Sequence, residues 1–191
     1  MPEPEPLSPL NSPLNGEPVG FRGADIFIEE RPFVEKLTIR GRAHEASFVT
    51  RFAEVFDVAP PAPRRSVEAI AATIISVGPS EWLAVGPCPG SAVPRPASTR
   101  ARLEAAAIVV VDVSCATTIL RISGPGCVST LRRLCALPLD RLTQGNVART
   151  RMCRLAVLIH AHGLDHFDLF VPRGYAGSLF EQLRDAAELR G

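Results

Sequence analysis

Apolar and polar positions change their spacing along the chain in a way that lays out strands and helices in turn. The densest apolar stretch runs from Ile108 to Gly126, IVVVDVSCATTILRISGPG. Its first part, Ile108 to Val113, is almost unbroken β-branched residue. That is the pattern of a strand covered on both faces, and it is far too short for a membrane span. Asp112, Ser114 and Cys115 interrupt the run, and a strand pattern resumes from Thr117 to Ile122. Ser123-Gly124-Pro125-Gly126 then signals a helix start, where a proline sits in the first turn without losing a needed donor. The helix that follows carries Cys127, Val128, Leu131, Leu134 and Cys135 on one stripe, the spacing of a core-facing helix.

The same reading covers the rest. Phe33 to Arg40 alternates as a strand and Gly41 ends it. A helix from about Ala43 to Phe56 presents Phe48, Phe52, Val55 and Phe56 on one face, with Val49 beside it. A proline-rich loop (Ala59 to Arg65) leads to a strand over Ala69 to Val77. Gly78-Pro79-Ser80-Glu81 turns that strand tightly into Trp82 to Val85, a hairpin signal. Pro87 to Pro96 reads as a loop, Ser98 to Ala107 as a short helix, and Leu137 to Val147 as irregular. Leu155 to His160 and Phe167 to Val171 form a second hairpin. A helix from about Gly174 to Leu189 closes the chain through Tyr175, Leu179, Phe180, Leu183 and Ala187.

An order of elements repeats. Leu37-Thr38-Ile39-Arg40-Gly41 followed by helix, hairpin and helix is matched by Leu120-Arg121-Ile122-Ser123-Gly124 followed by the same series. The expected fold is α+β: two similar strand–helix–strand–strand–helix halves packed together, with largely antiparallel sheets. The halves span about 33–107 and 108–191 of a domain covering 33–191. Residues 1–32 are expected to be a proline-rich tail, since Met1 to Pro18 holds six prolines and few large apolar side chains. Trp82, the only tryptophan, is expected at the junction of the halves, and Arg173 is expected to bind carbonyl oxygens or an acidic neighbour where a strand ends and a helix starts.

Composition narrows the class. The 191 residues are 46% hydrophobic, enough for a real core, and 21 basic against 20 acidic residues leave a net charge of +1. No basic patch points to nucleic acid or to an anionic membrane. Only Lys36 among the basic residues is lysine, and the arginines are scattered along the chain, which suits genomic composition better than function. The five cysteines form no CxxC, and an odd number argues against a disulfide framework. With no basic segment leading into an apolar run at the amino terminus, a cytoplasmic location is expected.

Candidate chemistry is sparse. His160 and His162 share one face of a strand and His166 lies across the turn, so zinc could be completed by Asp165 or Asp168. The plainer reading, polar residues at a hairpin tip, is preferred. Asp112 fits a strand-end acid capping nearby amides better than a catalytic carboxylate, and Cys115 fits a small buried hydrophobe. The Gly124-Pro125-Gly126 turn is no dinucleotide fingerprint, since GxGxxG fails at Ser129. There is no Walker-type lysine, GxSxG or HExxH. No catalytic, cofactor-binding or metal residue is therefore assigned.

Four motifs in order carry a resemblance. Gly78-Pro79-Ser80-Glu81-Trp82-Leu83 resembles the G-P-D-E-W-L hairpin of the gamma subunit of heterotetrameric sarcosine oxidase. Val111-Asp112-Val113-Ser114 resembles the V-D-V-S strand that follows it. Ile122-Ser123-Gly124-Pro125-Gly126 resembles that family's strand–glycine–helix step, and Val171-Pro172-Arg173-Gly174-Tyr175 its step before the last helix. The resemblance spans roughly Phe33 to Leu189. That family is akin to the folate-binding aminomethyltransferase of the glycine cleavage system, which implies an aminomethyltransferase-like fold. It also implies a non-catalytic subunit of a complex that oxidatively demethylates sarcosine or a related N-methyl amino acid. The expected partners are alpha-, beta- and delta-type subunits, with no nucleic acid and no membrane. FAD, FMN, NAD and tetrahydrofolate would sit in those subunits and none in this chain. The aminomethyltransferases carry an acidic pair where this chain has Arg151-Met152-Cys153-Arg154-Leu155, which holds no carboxylate. A stand-alone folate-binding protein related to the aminomethyltransferases is the alternative.

Overall fold

The computed structural model describes residues 8–10, 20–69, 72–87, 96–106 and 108–189. Most of the Met1–Pro18 tail, Cys88 and nearly all of the Pro87–Pro96 loop lie outside them. In chain order the strands and helices are β1 (Gly20–Arg22), β2 (Phe27–Glu30), β3 (Lys36–Arg40), α1 (Ala46–Phe56), β4 (Ser66–Glu68), β5 (Thr73–Gly78), β6 (Glu81–Val85) and α2 (Pro96–Ala105). They continue with β7 (Val109–Asp112), β8 (Thr117–Ser123), α3 (Cys127–Leu134), β9 (Val147–Met152), β10 (Leu155–Ala161), β11 (His166–Pro172) and α4 (Ala176–Glu188). Single 3-10 turns occupy Leu139–Arg141 and Arg173–Tyr175.

The chain divides into two compact units. One takes the described residues up to Phe33 with Cys115–Gln144 and the chain from Ala148 onward; the other takes Val34–Ser114 with Gly145–Val147. The first unit holds a six-stranded sheet in the order β1-β2-β8-β11-β10-β9 and the second a five-stranded sheet, β4-β5-β6-β3-β7. Every strand pair given is antiparallel. The fold is thus α+β with antiparallel sheets.

Each unit is a sheet with helices on one face. In the first, period-2 alternation turns Ile28, Leu120, Ile122, Phe167, Leu169 and Ile159 to the same side, where they bury Cys127 and Leu131 of α3 and Leu179 and Leu183 of α4. In the second, Leu37, Ile39, Ile74, Trp82 and Ala84 meet the α1 stripe Phe48, Phe52, Val55 and Phe56, with Leu103 of α2. Asp57, left-handed at φ 60°, ends α1 and donates its N–H to the Ala53 carbonyl. At the other strand–helix step Gly124 has φ 113°, and a Cβ there would lie 2.5 Å from the Asp25 carbonyl oxygen. Only glycine suits that position.

The repeat is real in three dimensions and differs in detail from its expected form. Three strands, not two, separate the helices of each copy: β4, β5 and β6 between α1 and α2, and β9, β10 and β11 between α3 and α4. β4 and β9 carry too few apolar residues to announce themselves. The two sheets correspond residue for residue. Leu37 faces Ala84 and Asp112, as Leu120 faces Leu169 and Glu30. Ile39 faces Trp82 and Val110, as Ile122 faces Phe167 and Ile28. Beyond the paired runs, the Val113 N–H donates to the Lys36 carbonyl at 2.9 Å, and the Arg31 N–H to the Ile119 carbonyl at 2.9 Å.

β7 and β2 are therefore equivalent, yet neither lies inside its own copy of the repeat. β2 precedes the first copy and completes the sheet of the second; β7 opens the second half and completes the sheet of the first. This corrects two expectations. Residues 1–32 are not all tail, since β1 and β2 belong to a sheet. The Ile108–Val113 run is an edge strand with Val109 61% and Val111 50% exposed, not one covered on both faces. β-Branched residues favour any pleated strand, so the run could not tell edge from centre.

Trp82 is buried in the core of the second unit. Its ring centroid is 5.2 Å from that of Phe48 and 6.0 Å from that of Phe52, and Nε1–H donates to the Pro61 carbonyl at 3.2 Å. Trp82→Ala should cost about 3–5 kcal/mol, the range for a large core aromatic, read as a drop in the denaturant midpoint. Gly124→Ala should cost about 1–3 kcal/mol from its backbone conformation alone, and more from the contact with Asp25, read in the same titration.

Candidate functional site

The face of the six-stranded sheet that points away from α3 and α4 is where polar chemistry collects. On β8, β11 and β10, the residues alternating with the core set are Arg121, Asp168 and His160. Register places them side by side: Arg121 opposite Asp168, and Asp168 opposite His160. His162 lies two residues on, just past the end of β10, and its N–H bonds the His166 carbonyl at 2.9 Å across the hairpin. Arg31, just beyond β2, comes in from the far side of β8.

Asp168 is the hub. Only 1% of it is exposed, and both of its oxygens accept hydrogen bonds. Oδ1 accepts from Arg121 Nε at 2.8 Å; Oδ2 accepts from an Arg121 terminal nitrogen at 3.0 Å, from Arg31 at 3.2 Å and from His162 Nε2 at 3.0 Å. The bond fixes the His162 proton on Nε2, because a carboxylate can only accept. Burial opposes ionisation of Asp168, but the bonds from His162 and Arg121 and the charges of Arg121 and Arg31 outweigh it. They hold its carboxyl well below the usual carboxylate range.

The imidazoles stack beside this hub, with ring centroids 4.3 Å apart for His160 and His162 and 4.7 Å for His162 and His166. Burial, reinforced by His162 and the two arginines against the pull of Asp168, pushes His160 down to about 4. His166 is shifted the same way, chiefly by burial and then by Arg121 and His162. Its buried Nε2 has no hydrogen-bond partner among the described residues.

Among solved structures that share this arrangement of strands and helices, two stand out. A chain of the heterotetrameric sarcosine oxidase from Corynebacterium sp. U-96, in complex with pyrrole 2-carboxylate, matches over 88% of this chain and 87% of its own, at 19% identity and a TM-score of 0.75. The fold is shared with that oxidase. Glycine cleavage system aminomethyltransferase T from Bartonella henselae matches over 81% of this chain and 44% of its own, at 17% identity and a TM-score of 0.61. This chain thus spans less than half the length of the transferase. No family model matches the sequence, and no curated protein matches it. At these identities the likeness is one of fold.

The chemistry is read from the residues themselves. His160, His162 and Asp168 present ligand atoms within 4.8 Å of one another, close enough for a metal ion. The donor set argues for another use. Asp168 already faces two guanidinium groups, and a divalent cation would have to displace them against their charge. The hairpin-tip reading of these histidines captured their place but not their partners. Asp165 stands apart from the hub; its backbone carbonyl accepts from the Gly124 N–H at 2.8 Å. Arg31 and Arg121 were not singled out from sequence. The available signal was a basic residue inside an apolar alternation, Leu120-Arg121-Ile122.

Other candidates resolve simply. Asp112 Oδ1 accepts from the Ser114 N–H at 2.8 Å, the capping role expected of it. Ser114 Oγ accepts in turn from the Lys36 N–H at 2.9 Å, tying the start of β3 to the end of β7. Cys115 is exposed rather than buried, because it sits in the turn between β7 and β8. The Gly124-Pro125-Gly126 turn is no phosphate cradle. Its Gly124 and Gly126 amides donate to the Asp165 and Asp25 carbonyls, at 2.8 and 2.9 Å. In the Arg151–Leu155 step, Cys153 and Arg154 take positive φ (50° and 70°) and form a tight hairpin turn.

His160 makes stability depend on pH with a definite sign. Between its ordinary value of 6.5 and about 4, the unfolded chain binds a proton that the folded chain does not. Stability is therefore full above pH 6.5 and falls as pH drops toward 4, by about 3 kcal/mol. His166 acts in the same direction. Asp168 contributes above the ordinary carboxylate range and loses its contribution only at lower pH. Melting temperature measured from pH 7.5 to 4.5 should show the decline, and His160→Gln should remove most of it.

Proposed function

We propose that this chain is a non-catalytic, gamma-type subunit of a sarcosine oxidase-like flavoenzyme complex. The complex would oxidatively demethylate sarcosine or a related N-methyl amino acid and pass the one-carbon unit to tetrahydrofolate. FAD, FMN, NAD and tetrahydrofolate belong in this reading to alpha-, beta- and delta-type partner subunits in the cytoplasm. The observation that carries it is the extent of the fold match. The likeness to a chain of a heterotetrameric oxidase runs nearly end to end on both sides, so the two chains are of similar size. The transferase, by contrast, is matched over less than half of its length.

The residues support a supporting role. The Gly124-Pro125-Gly126 turn spends its glycine amides on backbone carbonyls, so no phosphate cradle is left at it. The Arg151–Leu155 step presents no carboxylate to a folate amine. The Asp168 hub has an imidazole and a saturated carboxylate but no nucleophile among the bonds it makes, so the arrangement of nucleophile, base and orienter is incomplete.

The test is co-expression with sarcosine oxidase-type alpha, beta and delta subunits, followed by size-exclusion chromatography and a sarcosine turnover assay. A stoichiometric complex that needs this chain for full activity is expected. Isothermal titration of the purified chain with tetrahydrofolate, FAD and FMN should show no binding in the micromolar range. Micromolar binding of tetrahydrofolate by the chain alone would overturn the proposal in favour of a stand-alone folate-binding protein.

A further inference from the structure

The residue-for-residue match between the two sheets leaves one position that is filled in one sheet and, among the described residues, open in the other. Outside β2 lies β1, whose Gly20, Phe21 and Arg22 face Glu29, Ile28 and Phe27. Phe21 packs against the core of that unit. Outside β7, the equivalent of β2, no strand follows among the described residues.

The ladder shows what the open edge offers. The Val113 N–H bonds the Lys36 carbonyl, so by the alternation of an antiparallel pair Val111 and Val109 also turn their backbone groups toward β3. The N–H and C=O of Val110 and Asp112 point the other way, toward the open edge. In the first unit the corresponding groups of Ile28 face Phe21, and the pattern is anchored by the Gly23 N–H on the Ile26 carbonyl at 2.8 Å.

The other edges are guarded. β1 is three residues long. β4 is flanked by 145–147: the Ser66 N–H bonds the Gly145 carbonyl and the Val147 N–H the Arg64 carbonyl, each at 2.9 Å. β9 carries exposed Arg149 and Arg151, charges of the kind that deter strand addition. β7 reads Val-Val-Val-Asp, with Val109 61% and Val111 50% exposed.

We infer that the open edge of β7 receives an antiparallel strand from a different polypeptide, one that sets a bulky apolar residue opposite Val110. The inference rests on the subunit reading above and names the surface that this subunit uses. A second copy of this chain suits the edge less well, because its β7 offers only valine where the equivalent place holds Phe21. The incoming strand gains backbone hydrogen bonds at Val110 and Asp112 and covers Val109 and Val111 on the opposite face.

The experiment compares the full chain alone with the chain assembled on sarcosine oxidase-type alpha, beta and delta subunits. Deuterium uptake of peptides covering 109–112 should slow at least tenfold in the complex. Val110→Pro removes an outward N–H and spares the bonds to β3, and Val111→Lys adds a charge on the exposed side. Each should weaken assembly at least tenfold while the melting temperature of the free chain stays close to wild type. Should Val110→Pro fold poorly, Val111→Lys alone decides. A complex whose β7 stays unprotected, or that tolerates the substitutions, overturns this inference and leaves the subunit reading standing. Failure of the wild-type chain to bind those subunits overturns both. A dimer of the free chain in sedimentation velocity, lost in Val110→Pro, would assign the edge to a second copy and overturn the inference.

Discussion

The backbone groups of β3 and β8 must find partners on both edges, because these strands lie inside their sheets with no water to satisfy them. A strand–helix–strand–strand–strand–helix copy can supply only one of the two neighbours, β6 for β3 and β11 for β8. The second comes from outside the copy, β7 for β3 and β2 for β8. That single requirement explains the order of the chain. It explains why β2 stands ahead of the first copy and why the valine-rich run sits between the copies. It also explains why each compact unit is discontinuous in sequence.

Symmetric scaffolding carries asymmetric chemistry. Thr38, Leu83 and Ile75 in one sheet occupy the places held in the other by Arg121, Asp168 and His160. The first trio carries no charge and needs no counter-ion. The polar trio needs every donor it has, because an ionised carboxylate that is 1% exposed survives only if its lone pairs are filled. Arg31 and His162 complete that shell. The cluster ties together β8, β10 and β11 and the residue after β2. A slip of one residue in β8 or β11 would turn Arg121 or Asp168 into the helix-facing core, so the charges oppose the wrong register more than they add net stability.

Much of this was legible in the chain. The amphipathic stripes of α1, α3 and α4 and the turn at Gly78–Glu81 are local patterns, set by side chains three to four residues apart or by a single turn. The repeat showed through the Leu-x-Ile-x-Gly steps at Leu37–Gly41 and Leu120–Gly124, since the same strand-to-helix corner demands similar residues twice. Asp112 showed its role because its partner Ser114 lies two residues away.

What the sequence by itself determined is therefore the class of fold, the helical faces and the antiparallel hairpins, all of which rest on short-range periodicity. Strand neighbours distant in sequence were decided by tertiary structure alone. That β7 is an edge, that β2 belongs to a sheet, and that Arg31, Arg121, His162 and Asp168 meet all depend on pairing across up to 137 residues. No local pattern records such a pairing, because a valine looks the same in the middle of a sheet as at its rim. A buried carboxylate, likewise, is defined only by the donors that folding brings to it.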